Sequence, residues 1–95
     1  MTRLELIRER LNAALKPLHC ELQDDSAAHA GHAGAASGGG HFSAIIVADC
    51  FAGKNLVARH RLVYDALGEL MGREIHAFSM RVLTPSEFTE QQGTS

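Results

Sequence analysis

From His41 to Leu83 the chain runs as apolar strand, amphipathic helix and second strand, an order that leaves little freedom in topology. His41–Cys50 carries apolar residues on both faces: Phe42, Ala44 and Ile46 on one, Ile45 and Val47 on the other. Such a segment reads as a central strand. Phe51–Asn55 is a turn, with Asn55 placed to cap a helix through its side-chain oxygen. Over Leu56–Met71 the residues Leu56, His60, Val63, Leu67 and Leu70 share one helical face, with Arg61, Asp65 and Glu69 opposite. Gly72 is expected to end that helix, and Ile75–Leu83 is the next strand. A strand–helix–strand crossover makes its two strands parallel and its connection right-handed.

The front of the chain adds a helix and a strand. Leu4, Ile7, Leu11 and Leu15 form a narrow stripe on a helix from Thr2 to about Leu15, with Leu6 the one misfit. Pro17 ends it, lacking the N–H and crowding the preceding turn. Leu18, Cys20 and Leu22 alternate with His19 and Glu21, the period of a strand with one wet face. From Gln23 to Gly40 there is little to bury, and 27–40 holds only Ala, Gly, Ser and His. A stretch of that length and composition is expected to be a flexible loop. Thr84-Pro85-Ser86-Glu87 combines a capping box with proline at the first helical position, so a short helix starts there. Residues 91–95 are expected to fray. The fold class is therefore α+β: one two-layer domain over residues 1–90, in the order α-β-β-α-β-α. Its three-stranded mixed sheet is covered on one face by helices, the first two strands pairing antiparallel around the long loop.

Composition narrows the function classes. The 95 residues are 45% hydrophobic with a formal net charge of −2, so bulk charge alone does not hold nucleic acid. No apolar run approaches the ~18 residues of a membrane span, and the charged N-terminus does not read as a signal peptide. Cys20 and Cys50 are expected to be packed free thiols in a reducing cytoplasm. The unusual entry in the composition is six histidines against one tyrosine.

Several residues together resemble the BolA family. They are Asp24-Asp25-Ser26, the histidine-bearing loop, His41-Phe42, Phe51-x-Gly53-Lys54, Arg59-His60-Arg61-x-Val63, Ile75-His76-Ala77-Phe78 and Thr84-Pro85. The resemblance runs from about residue 3 to about residue 88, in the family's order. It implies a class II KH-like topology and partnership with a monothiol glutaredoxin around a shared [2Fe–2S] cluster, in iron–sulfur assembly or iron regulation. For some members it implies DNA-binding regulation of morphology or stress genes. It assigns one cluster ligand to His76. The other comes from the loop, where counting forward from Asp24 favours His29 and counting back from His41 favours His32.

The residues themselves are compatible with that assignment. Imidazole binds iron through a neutral ring nitrogen, and the chain has too few cysteines, and no Cys-x-x-Cys, to build a four-thiolate site alone. It would lend one or two ligands and take the rest from a partner; the resemblance implies that a glutaredoxin thiolate and the cysteine of a bound glutathione fill those places. No cofactor is expected on the isolated chain, which would be a monomer or weak homodimer. His41, opening a strand, is the weaker ligand candidate. His60 lies about 40° from Leu56 and about 20° from Leu67 around its helix, so a core histidine is expected there.

Two other readings stay open. Lys54, Arg59 and Arg61 form a basic segment that suits phosphate or a partner surface. Against a nucleic-acid groove, Arg59 and Arg61 point roughly 160° apart, and neither a Gly-x-x-Gly clamp of the nucleic-acid-binding KH type nor paired surface aromatics on the sheet are expected. Capture of a lone metal such as zinc by His29, His32 and His41 is the third. Asp24-Asp25-Ser26 reads as turn chemistry rather than a catalytic group, and no nucleophile lies in a motif, so a non-enzyme is expected.

Overall fold

The computed structural model describes residues 2–25 and 40–93. Its elements are α1 (Arg3–Leu15), β1 (His19–Asp24), β2 (Gly40–Val47), α2 (Leu56–Leu67), β3 (Ile75–Leu83) and α3 (Pro85–Gly93). The sheet order is β1-β2-β3. β2 is central, antiparallel to β1 and parallel to β3, as the crossover requires.

At the start of α1 the Thr2 hydroxyl accepts from the Glu5 N–H at 3.1 Å. At its end Lys16 turns left-handed at φ 48°, donating its N–H to the Asn12 carbonyl. Pro17 follows directly; a residue before proline is disfavoured in the right-handed helical region, so Lys16 could not extend the helix. Ile7, Leu11 and Leu15 are buried, and Leu4 and the misfit Leu6 pack at the rim of the core.

Phe42, Ala44 and Ile46 of β2 and Phe78 and Val82 of β3 meet those residues and Val63 and Leu67 of α2 in one core. Full burial of each large apolar side chain stabilises by roughly 1.5–3 kcal/mol. The other sheet face carries Ile45 half-buried, with Ser43 beside it. Val47 has that outer parity and is nonetheless buried. Here α3 arrives: Phe88 stacks on His19 at 4.9 Å between centroids, and His19 is paired with Val47.

Several boundaries differ from the sequence reading, each for a local reason. β1 begins at His19, and Leu18 is 66% exposed; its N–H donates to the Val47 carbonyl, but its side chain lies outside the core. Cys20 and Leu22 do pack inward. β2 includes Gly40 and stops at Val47, because Asp49–Phe51 winds a 3-10 turn that sinks Phe51 fully into the core. α2 ends at Leu67 rather than Met71, with Gly68 rather than Gly72 as its cap. A 3-10 turn over Gly68–Leu70 then buries Leu70, which prolongs the apolar spacing beyond the helix. Arg10 reinforces this end, donating to the Leu67 carbonyl at 3.2 Å and pairing with Glu69. Gly72, at φ 87°, serves the turn into β3.

Leu56 is 61% exposed because the first turn of α2 runs past the core. His60, on the flank of the buried stripe, is half-buried and not a core histidine. At α3 the capping box forms as expected: the Thr84 N–H donates to Glu87 Oε1 at 2.8 Å, and the Glu87 N–H donates to the Thr84 hydroxyl at 3.2 Å. The helix runs to Gly93. The loop expected over 27–40 lies outside the described residues, apart from Gly40.

Candidate functional site

The register of β2 on β3 slips once. Gly40 stands opposite Ile75, but His41 stands opposite Ala77, so His76 is an extra residue in β3. In an unbroken strand, residues three apart face opposite sides. Ile75 and Phe78 are both buried, and the extra residue reconciles their spacing. A bulge of this kind re-aims a side chain. Here it leaves His76 exposed, its ring centroid 5.2 Å from that of half-buried His41, with the planes tilted by 42°. The bulge is pinned on both sides: the Gly40 N–H donates to the Glu74 carbonyl at 3.0 Å and the Gly72 N–H to the Ile75 carbonyl at 2.8 Å.

The Asp25 N–H donates to the His41 carbonyl at 2.7 Å. The segment carrying His29 and His32 therefore leaves and re-enters the sheet beside this pair. Both of those histidines lie outside the described residues. Sequence reasoning ranked His41 low because it could not see the strand register that places it beside His76. A signal for the bulge was present in the odd spacing of Ile75 and Phe78.

Two adjacent imidazoles can offer two neutral nitrogen donors. Among the described residues no group of three or more His, Cys, Asp or Glu gathers as a metal site. Of the two, His76 is the exposed ring, with His41 half-buried beside it. The thiols are poorly placed to help: Cys20 and Cys50 are half-buried, and burial pushes both pKa values up, away from the thiolate.

The basic segment divides. Lys54 and Arg61 are exposed. Arg59, with its side chain 13% exposed, is engaged on every side. Its guanidinium donates to Glu87 at 2.7 and 3.2 Å, to the Lys54 carbonyl at 2.9 Å and to the Val82 carbonyl at 3.1 Å. This bidentate clamp ties α2 to α3. Hydrogen bonds from Arg59 and from the Thr84 N–H hold the Glu87 carboxyl down to about 2. Arg59 is thereby a structural cation and leaves Lys54 and Arg61 as the outward pair.

The sequence profile of the BolA-like protein family matches residues 11–87. The chain belongs to the BolA-like family. The SufE-like protein 1, chloroplastic/mitochondrial, of Arabidopsis thaliana is 44% identical over 86 residues, 85% of this chain and 23% of that protein. The chain thus spans about a quarter of that relative. The DNA-binding transcriptional regulator BolA of Escherichia coli (strain K12) is 36% identical over 90 residues, 95% of this chain and 83% of that protein. Among solved structures, the BolA domain of SufE1 from Arabidopsis thaliana superposes with a TM-score of 0.80 at 44% identity, covering 92% of this chain and 96% of the other. The α+β architecture is thus the BolA-like fold.

Proposed function

We propose that this chain is a non-enzymatic BolA-like adaptor that pairs with a monothiol glutaredoxin and shares a [2Fe–2S] cluster, in iron–sulfur assembly or iron regulation. The observation that supports this reading best is the bulge that turns His76 outward beside His41, at the root of the segment bearing His29 and His32. His76 is one ligand. The second is His29 or His32: at ~3.3–3.6 Å per extended residue, the chain from Asp25 to either is long enough to reach the pair. His41 stands next to the ligand and limits the room available to its ring.

The cluster supplies redox chemistry when bound. Histidine ligands in place of thiolates raise its potential, and their protonation makes ligation sensitive to pH. A glutaredoxin thiolate and a glutathione thiol provide the remaining ligands. The isolated chain holds no cluster in this reading and is a monomer or weak homodimer. Size exclusion of the chain with a cluster-loaded monothiol glutaredoxin tests the partnership. A complex carrying iron is expected, and separate elution of the two proteins contradicts it.

A second reading has one specific observation behind it, the name of the Escherichia coli relative as a DNA-binding transcriptional regulator. In it, Lys54 and Arg61 contact phosphates, because Arg59 is committed to Glu87. Duplex affinity would then fall steeply with salt and weaken in Lys54→Ala and Arg61→Ala. Salt-insensitive or absent binding removes this reading.

A further inference from the structure

Among the described residues β3 has a strand neighbour on one side only, β2. The Ala48 N–H donates to the Leu83 carbonyl at 3.1 Å, and the His41 carbonyl is taken from the β1 side by the Asp25 N–H. These two bonds fix the phase of the ladder: even-numbered residues of β2 and odd-numbered residues of β3 bond each other. The N–H and C=O groups of Phe78, Met80 and Val82 therefore point away from the sheet. Arg59 closes one end of this edge, donating to the outward Val82 carbonyl at 3.1 Å. The bulge at His76 bends the other end. Between these guards, the outward backbone groups of Phe78 and half-buried Met80 have no partner among the described residues. An edge left open in this way is a template for another chain.

Leu62 and Ala66 follow Arg59 at i+3 and i+7, on the side of α2 that Arg59 turns toward the edge. Both are partly buried against the core, so an apolar helix wall runs beside a hydrogen-bonding strand. The uncompensated charges at the two ends are basic. Lys54, whose carbonyl accepts from the same Arg59 side chain at 2.9 Å, is exposed at the Val82 end, and Arg73 is exposed just before Ile75. Neither has an ion pair among the described residues, whereas Glu87 and Glu74 are held by Arg59 and Arg3.

We propose that the free edge of β3 takes an extended peptide segment of a partner protein as an added strand, its apolar side chains toward Leu62 and Ala66 and an acidic residue at each end. The inference is independent of the cluster reading, since it needs neither a metal nor His76 as a ligand. Main-chain hydrogen bonds to the edge supply affinity, and the helix wall and end charges supply choice. A partner helix cannot use the outward groups, because its own N–H and C=O are paired within it. From Ile75 to Val82 the strand runs roughly 23 Å at about 3.3 Å per residue, the span of about seven extended residues.

The test is an amide-resolved NMR titration of the metal-free chain with acetyl-Asp-Thr-Val-Thr-Val-Thr-Asp-amide. Saturable shifts at Phe78, Met80 and Val82 are expected, with a Kd on the order of 1 mM or tighter. At saturation, hydrogen exchange of the Met80 amide should slow about tenfold, while that of Ser79, already bonded to β2, changes little. Methylating alternate peptide nitrogens should abolish binding in one phase and spare it in the other, because only one edge of an added strand meets β3. Lysine in place of both aspartates should weaken binding about fivefold or more. The proposal is overturned by equal binding in the two methylation phases, by equal binding of the lysine peptide, by shifts centred elsewhere, or by no saturation at about 20 mM. Met80 protection that grows with the concentration of the chain alone would place a second copy on the edge and overturn it as well.

Discussion

The rings of His41 and His76 stand 5.2 Å apart because one extra residue is let into β3. Without the bulge the strand period would send position 76 inward with Phe78. The same slip thus seals the core with Ile75 and exposes a potential ligand. It separates what the side chain does from what its position does, and the two can be tested apart.

Replacing the exposed His76 by Ala should change stability by no more than about 0.5 kcal/mol. Removing the residue altogether leaves Ile75 and Phe78 two apart, on one face of an unbroken strand, so both should stay buried while the imidazole beside His41 is lost. The loss should stay below about 2–5 kcal/mol, the cost of removing a large buried side chain. Urea unfolding of the two variants measures the difference.

Leu11 and Leu18 both lie in apolar patterns, yet only Leu11 is buried. Leu11→Ala should cost about 2–5 kcal/mol and Leu18→Ala no more than about 0.5 kcal/mol. Comparable urea midpoints for the two variants would contradict the packing described for α1 and β1.

The α3 latch should be sensitive to acid. Glu87 has its pKa lowered to about 2 by Arg59 and the Thr84 N–H, against an ordinary value of 4.5. A lowered folded-state value contributes stability that is fully present above pH 4.5 and lost as pH falls toward about 2. Glu69, lowered to about 2 by Arg10, contributes in the same sense and window. Glu87→Gln should flatten part of that loss in thermal melts across this range. Thr84→Ala, which removes the cap, should cost about 1 kcal/mol, or roughly 4–8 °C in Tm.

The cysteines should react slowly. Burial raises the pKa of Cys20 and Cys50, so their thiolate fraction at neutral pH is below that of a free cysteine. A thiol reagent at pH 7 should modify both faster once the chain is unfolded in urea. Equal rates in the two states would contradict the burial.

The sequence was most informative where burial has a clear period. The inward set Phe42, Ala44 and Ile46, the central place of β2, the Asn55 cap and the Thr84–Glu87 box were legible because each depends on residues close in the chain. The end of α2 was misread because a 3-10 turn keeps Leu70 in the apolar rhythm after the helix has stopped at Leu67. Leu18 was misread because alternation does not say where a strand begins. At the candidate site, His76 was singled out by the family resemblance alone. Its neighbour was not, since the pairing of β2 with β3 is a property of two strands. Nor could the segment show that Arg59 is spoken for: its carboxylate partner, Glu87, is 28 positions along the chain.

The most direct test is anaerobic reconstitution of the chain with a monothiol glutaredoxin, iron, sulfide and glutathione, followed by visible circular dichroism. The account predicts a spectrum distinct from that of the glutaredoxin cluster alone, lost in His76→Ala even though that variant stays folded. A spectrum that does not change on adding the chain, or one that His76→Ala leaves intact, would contradict it.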